Sequence, residues 1–239
     1  MRAGEAGPVK GGGTKPLDLR GDGRTPEPWT PLIGVVDHGM GNRRSVEKAL
    51  ERVGARVALT ADHQTLRAAD GLVVPGVGAF AAAMRSMREL GLDELVVERA
   101  TQGTPVLGLC LGMQLLFESS TELGGDRGLG LLAGEVVTLA PQPATLKIPH
   151  IGWNEVGFTG ASPLLEGLGD RAAFYHVHSF VAVPADEGDV LGRGDYGGPF
   201  ASIVGRGDVY GVQFHPEKSS VAGLRLLANF TSVSARVTA

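Results

Sequence analysis

With 239 residues, 43% hydrophobic and 20% charged, the chain is long enough for one sizeable core and has an ordinary globular composition. A formal charge of −4 without a basic run gives no footprint for nucleic acid, and no apolar run approaches the ~20 residues that cross a bilayer. The single cysteine, Cys110, excludes an internal disulfide and, with no apolar signal segment at the N-terminus, points to a reducing, cytoplasmic location.

Residues 1–31 read as a disordered tail. They hold the run Gly11-Gly12-Gly13, five prolines (8, 16, 26, 28 and 31) and few large apolar side chains, too little to offset the entropy of ordering. The fold is expected to start at Leu32, as one domain over 32–239. Residues 32–37 form an apolar strand followed by the turn His38-Gly39-Met40-Gly41-Asn42. Ser45 is the expected cap of a helix to about Val53, ended by Gly54. Strands follow at 56–60 and 71–74, the second running into Pro75-Gly76-Val77-Gly78. Helices cover about 80–90 and 92–101, and His63 sits in a polar stretch read as exposed. The next strand, 106–109, ends at Cys110, and good helix formers continue to Glu118. Short apolar runs alternating with helices predict an α/β fold with a mostly parallel sheet flanked by helices.

The second half changes character. Runs at 131–139, 151–156, 172–177, 180–183, 190–193, 200–204 and 209–214 are strand-like and separated by Gly, Pro and Asp, with one more helix at about 220–230. These are expected to add antiparallel strands to the α/β core.

Two segments carry chemistry. Gly108-Leu109-Cys110-Leu111-Gly112 is a strand-to-helix elbow with small residues two positions either side of the cysteine. A thiol there meets the N–H groups at a helix start, which favour the thiolate. The run Gly211-Val212-Gln213-Phe214-His215-Pro216-Glu217 supplies an imidazole at a strand end and a carboxylate to orient it, the partners that a cysteine nucleophile needs. His176 and His178 share a face of one strand but have no convincing third ligand nearby, so no metal is expected.

These segments resemble the class I glutamine amidotransferases of the Cys-His-Glu type: Pro75-Gly76-Val77-Gly78-Ala79-Phe80, 108–114 and 212–219. The chain further resembles the glutaminase subunits of imidazole glycerol phosphate synthases at Asp37-His38-Gly39-Met40-Gly41-Asn42 with Ser45-Val46, at Pro149-His150-Ile151-Gly152-Trp153-Asn154, and at Val177-His178-Ser179-Phe180. The likeness covers about 32–232; that family often has Tyr at the position of His38. It implies the class I three-layer fold and a catalytic triad of Cys110, His215 and Glu217 acting on L-glutamine without a cofactor. It also implies an oxyanion hole from the backbone of Val77 and Leu111, and substrate contacts at Gly76, Gly78, Gln114, His178, Ser179 and Phe180. The implied partner is a (β/α)8-barrel cyclase subunit in a heterodimer, met through Asn42, Trp153, Asn154, Tyr175 and Lys218, with no role for nucleic acid or membrane. On general grounds Lys218 would simply be solvated and Trp153 would be core. Another synthase's glutaminase, or a non-enzymatic regulator on the same fold, are the rival readings; the 37–42 and 149–154 segments and the intact triad argue against them.

Overall fold

The computed structural model describes residues 30–237. The expected tail lies, for residues 1–29, outside the described residues. Thr30 and Pro31 already belong to the fold: both are buried, and the Pro31 carbonyl accepts from the Arg56 N–H.

The first half runs β1 (Leu32–Val36), α1 (Arg43–Arg52), β2 (Arg56–Thr60), α2 (His63–Arg67), β3 (Gly71–Gly76), α3 (Phe80–Glu89), α4 (Leu92–Thr101), β4 (Val106–Cys110) and α5 (Leu111–Leu115). Then come β5 (Phe117–Ser120), β6 (Asp126–Arg127), β7 (Leu132–Thr138), β8 (His150–Phe158), β9 (Arg171–His178) and β10 (Phe180–Pro184). The chain ends with β11 (Val190–Asp195), β12 (Pro199–Arg206), β13 (Val209–Val212) and α6 (Ser220–Val237).

Nine strands form the main sheet in the order β2-β1-β3-β4-β13-β12-β11-β8-β9. The pairs from β2 to β13 are parallel, and those from β13 to β9 are antiparallel. Every residue of β3 and β4 is buried, as expected for central strands covered on both faces. On one face, Leu66, Phe80, Met84, Met87, Leu92 and Leu95 of α2, α3 and α4 pack on the sheet. On the other, Val46 and Leu50 of α1 meet Leu224, Leu227 and Phe230 of α6. A second sheet, β10-β7-β5-β6, packs beside this three-layer core.

Three local expectations are corrected. Asn42, not Ser45, occupies the N-cap of α1, and the Ser45 hydroxyl donates to Asn42 Oδ1 at 2.8 Å. His63 starts a short helix capped by Asp62, and is half-buried with Nε2–H donating to the Leu90 carbonyl at 2.8 Å. The helix after Cys110 stops at Leu115 instead of reaching Glu118. The segment after β6 captures its carbonyls: the N–H groups of Leu129, Leu131 and Gly130 bond to Leu115, Leu116 and Phe117. Those tertiary bonds outweigh a helix propensity worth only tenths of a kcal/mol per residue.

Candidate active site

Cys110 is the last residue of β4 and the hinge into α5. Its φ of 54° and ψ of −110° place a non-glycine residue in the left-handed half of backbone space, a conformation costing ~1–3 kcal/mol. Gly108 is what allows the turn: a Cβ there would lie 2.5 Å from the Gly112 carbonyl oxygen. The register sets Cys110 opposite Gly76, the last residue of β3, so the thiol emerges at the carboxyl ends of the parallel strands.

His215 follows β13, the other neighbour of β4. Pro216 opens a single 3-10 turn, Pro216–Lys218, which swings Glu217 back toward the imidazole. His215 Nδ1–H donates to Glu217 Oε1 at 3.0 Å. Nδ1 being occupied, Nε2 is the nitrogen left for Cys110. Burial alone lowers the His215 pKa, but hydrogen bonds to Cys110 and Glu217, with their charges, override it and raise it from 6.5 to about 9. An imidazolium beside the sulfur suits a nucleophile that attacks a carbonyl carbon, with the ring then giving its proton to a leaving group. The loop is clamped from β9: His215 N–H donates to the Tyr175 carbonyl at 3.0 Å, Tyr175 N–H to Ser219 Oγ at 2.9 Å, and Ser219 Oγ–H to the His215 carbonyl at 2.7 Å.

Cys110, Leu111 and His215 open onto a cavity of about 360 Å³, ample for an amino acid. Of the expected residues, Val77, Gly78, Gln114, His178, Ser179 and Phe180 line it. Gly76 does not; it ends β3 against Leu111, where a Cβ would stand 3.1 Å from that residue's Cβ. Val77 is 41% exposed and Gly78 has φ 103°, so this edge is open and its turn depends on glycine. His178 forms wall rather than ligand: Nδ1–H donates to the Phe180 carbonyl at 3.0 Å, and Nε2 accepts from His150 Nδ1–H at 2.9 Å. His176 is likewise spent on the Phe174 carbonyl and Ser202 Oγ. Burial lowers the pKa of His178 to about 4 and that of His176 to about 3, so both rings are neutral. Among the described residues no group of three His, Cys, Asp or Glu side chains is arranged to hold a metal ion.

Two residues escaped the sequence reading. Glu122 lines the cavity while its Oε2 accepts from Phe80 N–H at 2.7 Å; it sits in a loop after β5 and had no local signal. Gln213, fully buried, touches Cys110, and alternation with Val212 and Phe214 places it on the His215 side of the chain.

Of the residues expected to meet a partner, Lys218 lines this cavity, and Asn42, Trp153, Asn154 and Tyr175 do not. Trp153 is 56% exposed, so it is not core, and it stacks edge-on to Tyr175 with ring centroids 6.1 Å apart. Asn154 Nδ2–H is turned to the Asp195 carbonyl at 2.7 Å. Asn42 is exposed beside the Gly76-Val77 end of β3, and exposed Lys218 lies at the cavity rim. Ile151 (60%) extends the exposed apolar run of β8.

The Glutamine amidotransferase class-I family pattern matches residues 34–233. Proteins described as imidazole glycerol phosphate synthase subunit HisH are similar over most of their length. That of Geobacillus kaustophilus is 46% identical over 206 residues, covering 85% of this chain and 97% of that protein. That of Aquifex aeolicus is 49% identical over 205 residues, covering 85% and 98%. In fold, the chain resembles a crystal structure of a glutamine amidotransferase (TM-score 0.67, 24% identity, 84% of this chain and 98% of that one). It also resembles PurLQS from Thermotoga maritima (TM-score 0.67, 19% identity, 85% and 99%).

Proposed function

The chain belongs to the glutamine amidotransferase class-I family, and from that premise we propose that it is the glutaminase subunit of an imidazole glycerol phosphate synthase, its amidotransferase domain spanning 32–239. The observation that carries the chemistry is the juxtaposition of Cys110, His215 and Glu217 at one end of the cavity. Cys110 Sγ attacks the side-chain amide carbon of glutamine. The oxyanion that forms is met by the backbone N–H of Leu111 and, from the opposite edge, of Val77. His215 gives its proton to the departing nitrogen, ammonia leaves, and a thioester remains on Cys110. The neutral imidazole then takes a proton from water, hydroxide attacks the thioester, and glutamate is released with the thiolate restored. Glu217 holds the His215 tautomer throughout.

Glutamine is held at its ammonium group by side-chain acceptors. Glu122 presents a carboxylate to the ammonium group. Gln114 has both amide hydrogens spent inside the protein, so its Oε1 is the atom it offers. Gly78, Ser179 and Phe180 supply backbone wall. Ammonia is protonated in neutral water and loses its nucleophilicity, so it has to pass directly into the partner. That partner is a (β/α)8-barrel cyclase, docked over Asn42, Trp153, Asn154, Tyr175 and Lys218, which makes imidazole glycerol phosphate and aminoimidazole carboxamide ribotide for histidine biosynthesis in the cytoplasm. The open Val77-Gly78 edge supports a site that the cyclase completes.

The test is glutamine hydrolysis with and without a cognate cyclase and its nucleotide ligand. Stimulation by the pair, abolished by Cys110→Ala while ammonium salts still feed the cyclase, is the expected result. Equal rates with and without the partner would sink the coupling.

A further inference from the structure

We propose that Gln213 is a positioning residue for the nucleophile: its side-chain amide donates a hydrogen bond to Cys110 Sγ and ties that sulfur to Gln114 in the substrate cavity. Gln213 is 0% exposed, between Val212 and Phe214, where an apolar side chain is the default. Phe214 faces away, stacked on Phe174 with centroids 3.8 Å apart. Gln213 faces α5 and the sulfur, with Nε2 3.9 Å from Cys110 Sγ.

The orientation of its amide follows from its neighbours. The Phe180 carbonyl can only accept, and Gln114 lies 3.2 Å from it, so Gln114 turns its Nε2 there. The second hydrogen of the same nitrogen meets Gln213 Oε1 at 3.0 Å. With Oε1 committed to Gln114, Gln213 has only Nε2 to present to the sulfur. Reversing Gln114 would set its oxygen against the Phe180 carbonyl and Gln213 Oε1, and reversing Gln213 alone would set two amide donors against each other.

The contact favours the reactive form of the sulfur. The Val177 carbonyl, 3.8 Å from Sγ, accepts the S–H of the thiol. The thiolate has no hydrogen for that carbonyl; it accepts from His215 and from Gln213. Gln213 therefore adds a second donor to the imidazolium and fixes the sulfur from the α5 side, on the wall that also carries Gln114. His178 Nδ1–H, on the same Phe180 carbonyl, anchors the far end of the chain of bonds.

This rests on Cys110 being the nucleophile. The test reads the thiol without needing glutamine turnover: alkylation of the full chain by iodoacetamide across pH, at its one cysteine. Gln213→Met, similar in volume but unable to donate, is expected to slow alkylation at neutral pH by about 10- to 100-fold, the worth of a hydrogen bond to a charged group, and to move the profile to higher pH. In the complex with its cyclase, kcat for glutamine falls by a like factor while KM changes far less, since Gln114 keeps the Phe180 carbonyl. Gln213→Leu likewise cannot donate and, if the Met variant does not fold, is expected to slow alkylation by a similar factor. Alkylation profiles that superimpose on the parent's in the folded variants overturn the inference. A Cys110→Ala protein that still hydrolyses glutamine would instead overturn the assignment of the nucleophile.

Discussion

Gly108→Ala puts one methyl group under the elbow. Its Cβ would stand 2.5 Å from the Gly112 oxygen and 2.6 Å from both the Gly112 carbon and the Met113 nitrogen. Real Cβ contacts do not fall below 3.0 Å, so the shortfall is 3.0 − 2.5, or 0.5 Å. All three obstructing atoms are backbone, so no side chain can turn aside; the first turn of α5 has to lift off β4 immediately after Cys110. Overpacking of this kind costs ~1–3 kcal/mol. At ~2–4 °C per kcal/mol for a chain of this size, the melting temperature drops by roughly 2–12 °C. A displacement of half an ångström is also about the tolerance of a catalytic constellation, and 1 Å costs ~100-fold. The expected loss in kcat/KM is therefore about 10- to 100-fold, measured as glutamate release in the presence of the cyclase, with melting followed by calorimetry. Gly160→Ala is the control: its Cβ meets nothing within 4 Å and its φ is ordinary, so activity holds and stability is unchanged or slightly raised. A Gly108→Ala enzyme with parental activity and melting, or a Gly160→Ala enzyme equally damaged, would refute the steric account of the elbow.

Three further outcomes follow from the site. Glu122→Gln removes the carboxylate that faces the cavity, so KM for glutamine rises about tenfold with kcat nearly unchanged; an unaltered KM in steady-state assays would remove Glu122 from substrate binding. His176 and His178 are held neutral with pKa values of about 3 and about 4 against an ordinary 6.5. The unfolded chain therefore takes up protons below pH 6.5 before the folded one does, so their contribution to stability is present above pH 6.5 and is lost as pH falls toward 3. Urea unfolding at pH 7.5 and 4.5 should show a drop that His176→Phe reduces, and an equal drop in that variant would contradict the assignment. His215 has the opposite sign: its pKa is raised to about 9, so its stabilisation is complete below pH 6.5 and fades as pH rises through 9. Glu217→Gln should flatten that alkaline limb; a limb left as steep as the parent's would mean that Glu217 does not hold the imidazolium.

What the sequence disclosed was set by local physics. The buried parallel strands show as apolar runs because both faces are covered, so β1 to β4 were legible to within two residues. Cys110 was legible because a strained elbow demands small residues at 108 and 112, and His215 because it stands immediately before Pro216, which opens the 3-10 turn that returns Glu217 to it. The segment from Leu115 to Leu132 was not, since its path is decided by N–H groups some fifteen residues downstream that intercept the carbonyls of α5. Glu122 was invisible for the same reason: only that refolded loop brings it to the cavity. Gln213 is a different case. A motif draws attention to the residues that react, and the polar residue beside them in an otherwise apolar strand passes as filler. Yet a fully buried amide demands partners for two donors and an acceptor, and here they include the substrate-facing Gln114 and the sulfur of Cys110. The alternation of Val212, Gln213, Phe214 and His215 already assigns the two apolar residues to the core and the two polar ones to the site. A polar side chain two residues before a catalytic base is therefore a signal carried by the sequence, provided the segment is buried and the amide has nowhere else to turn.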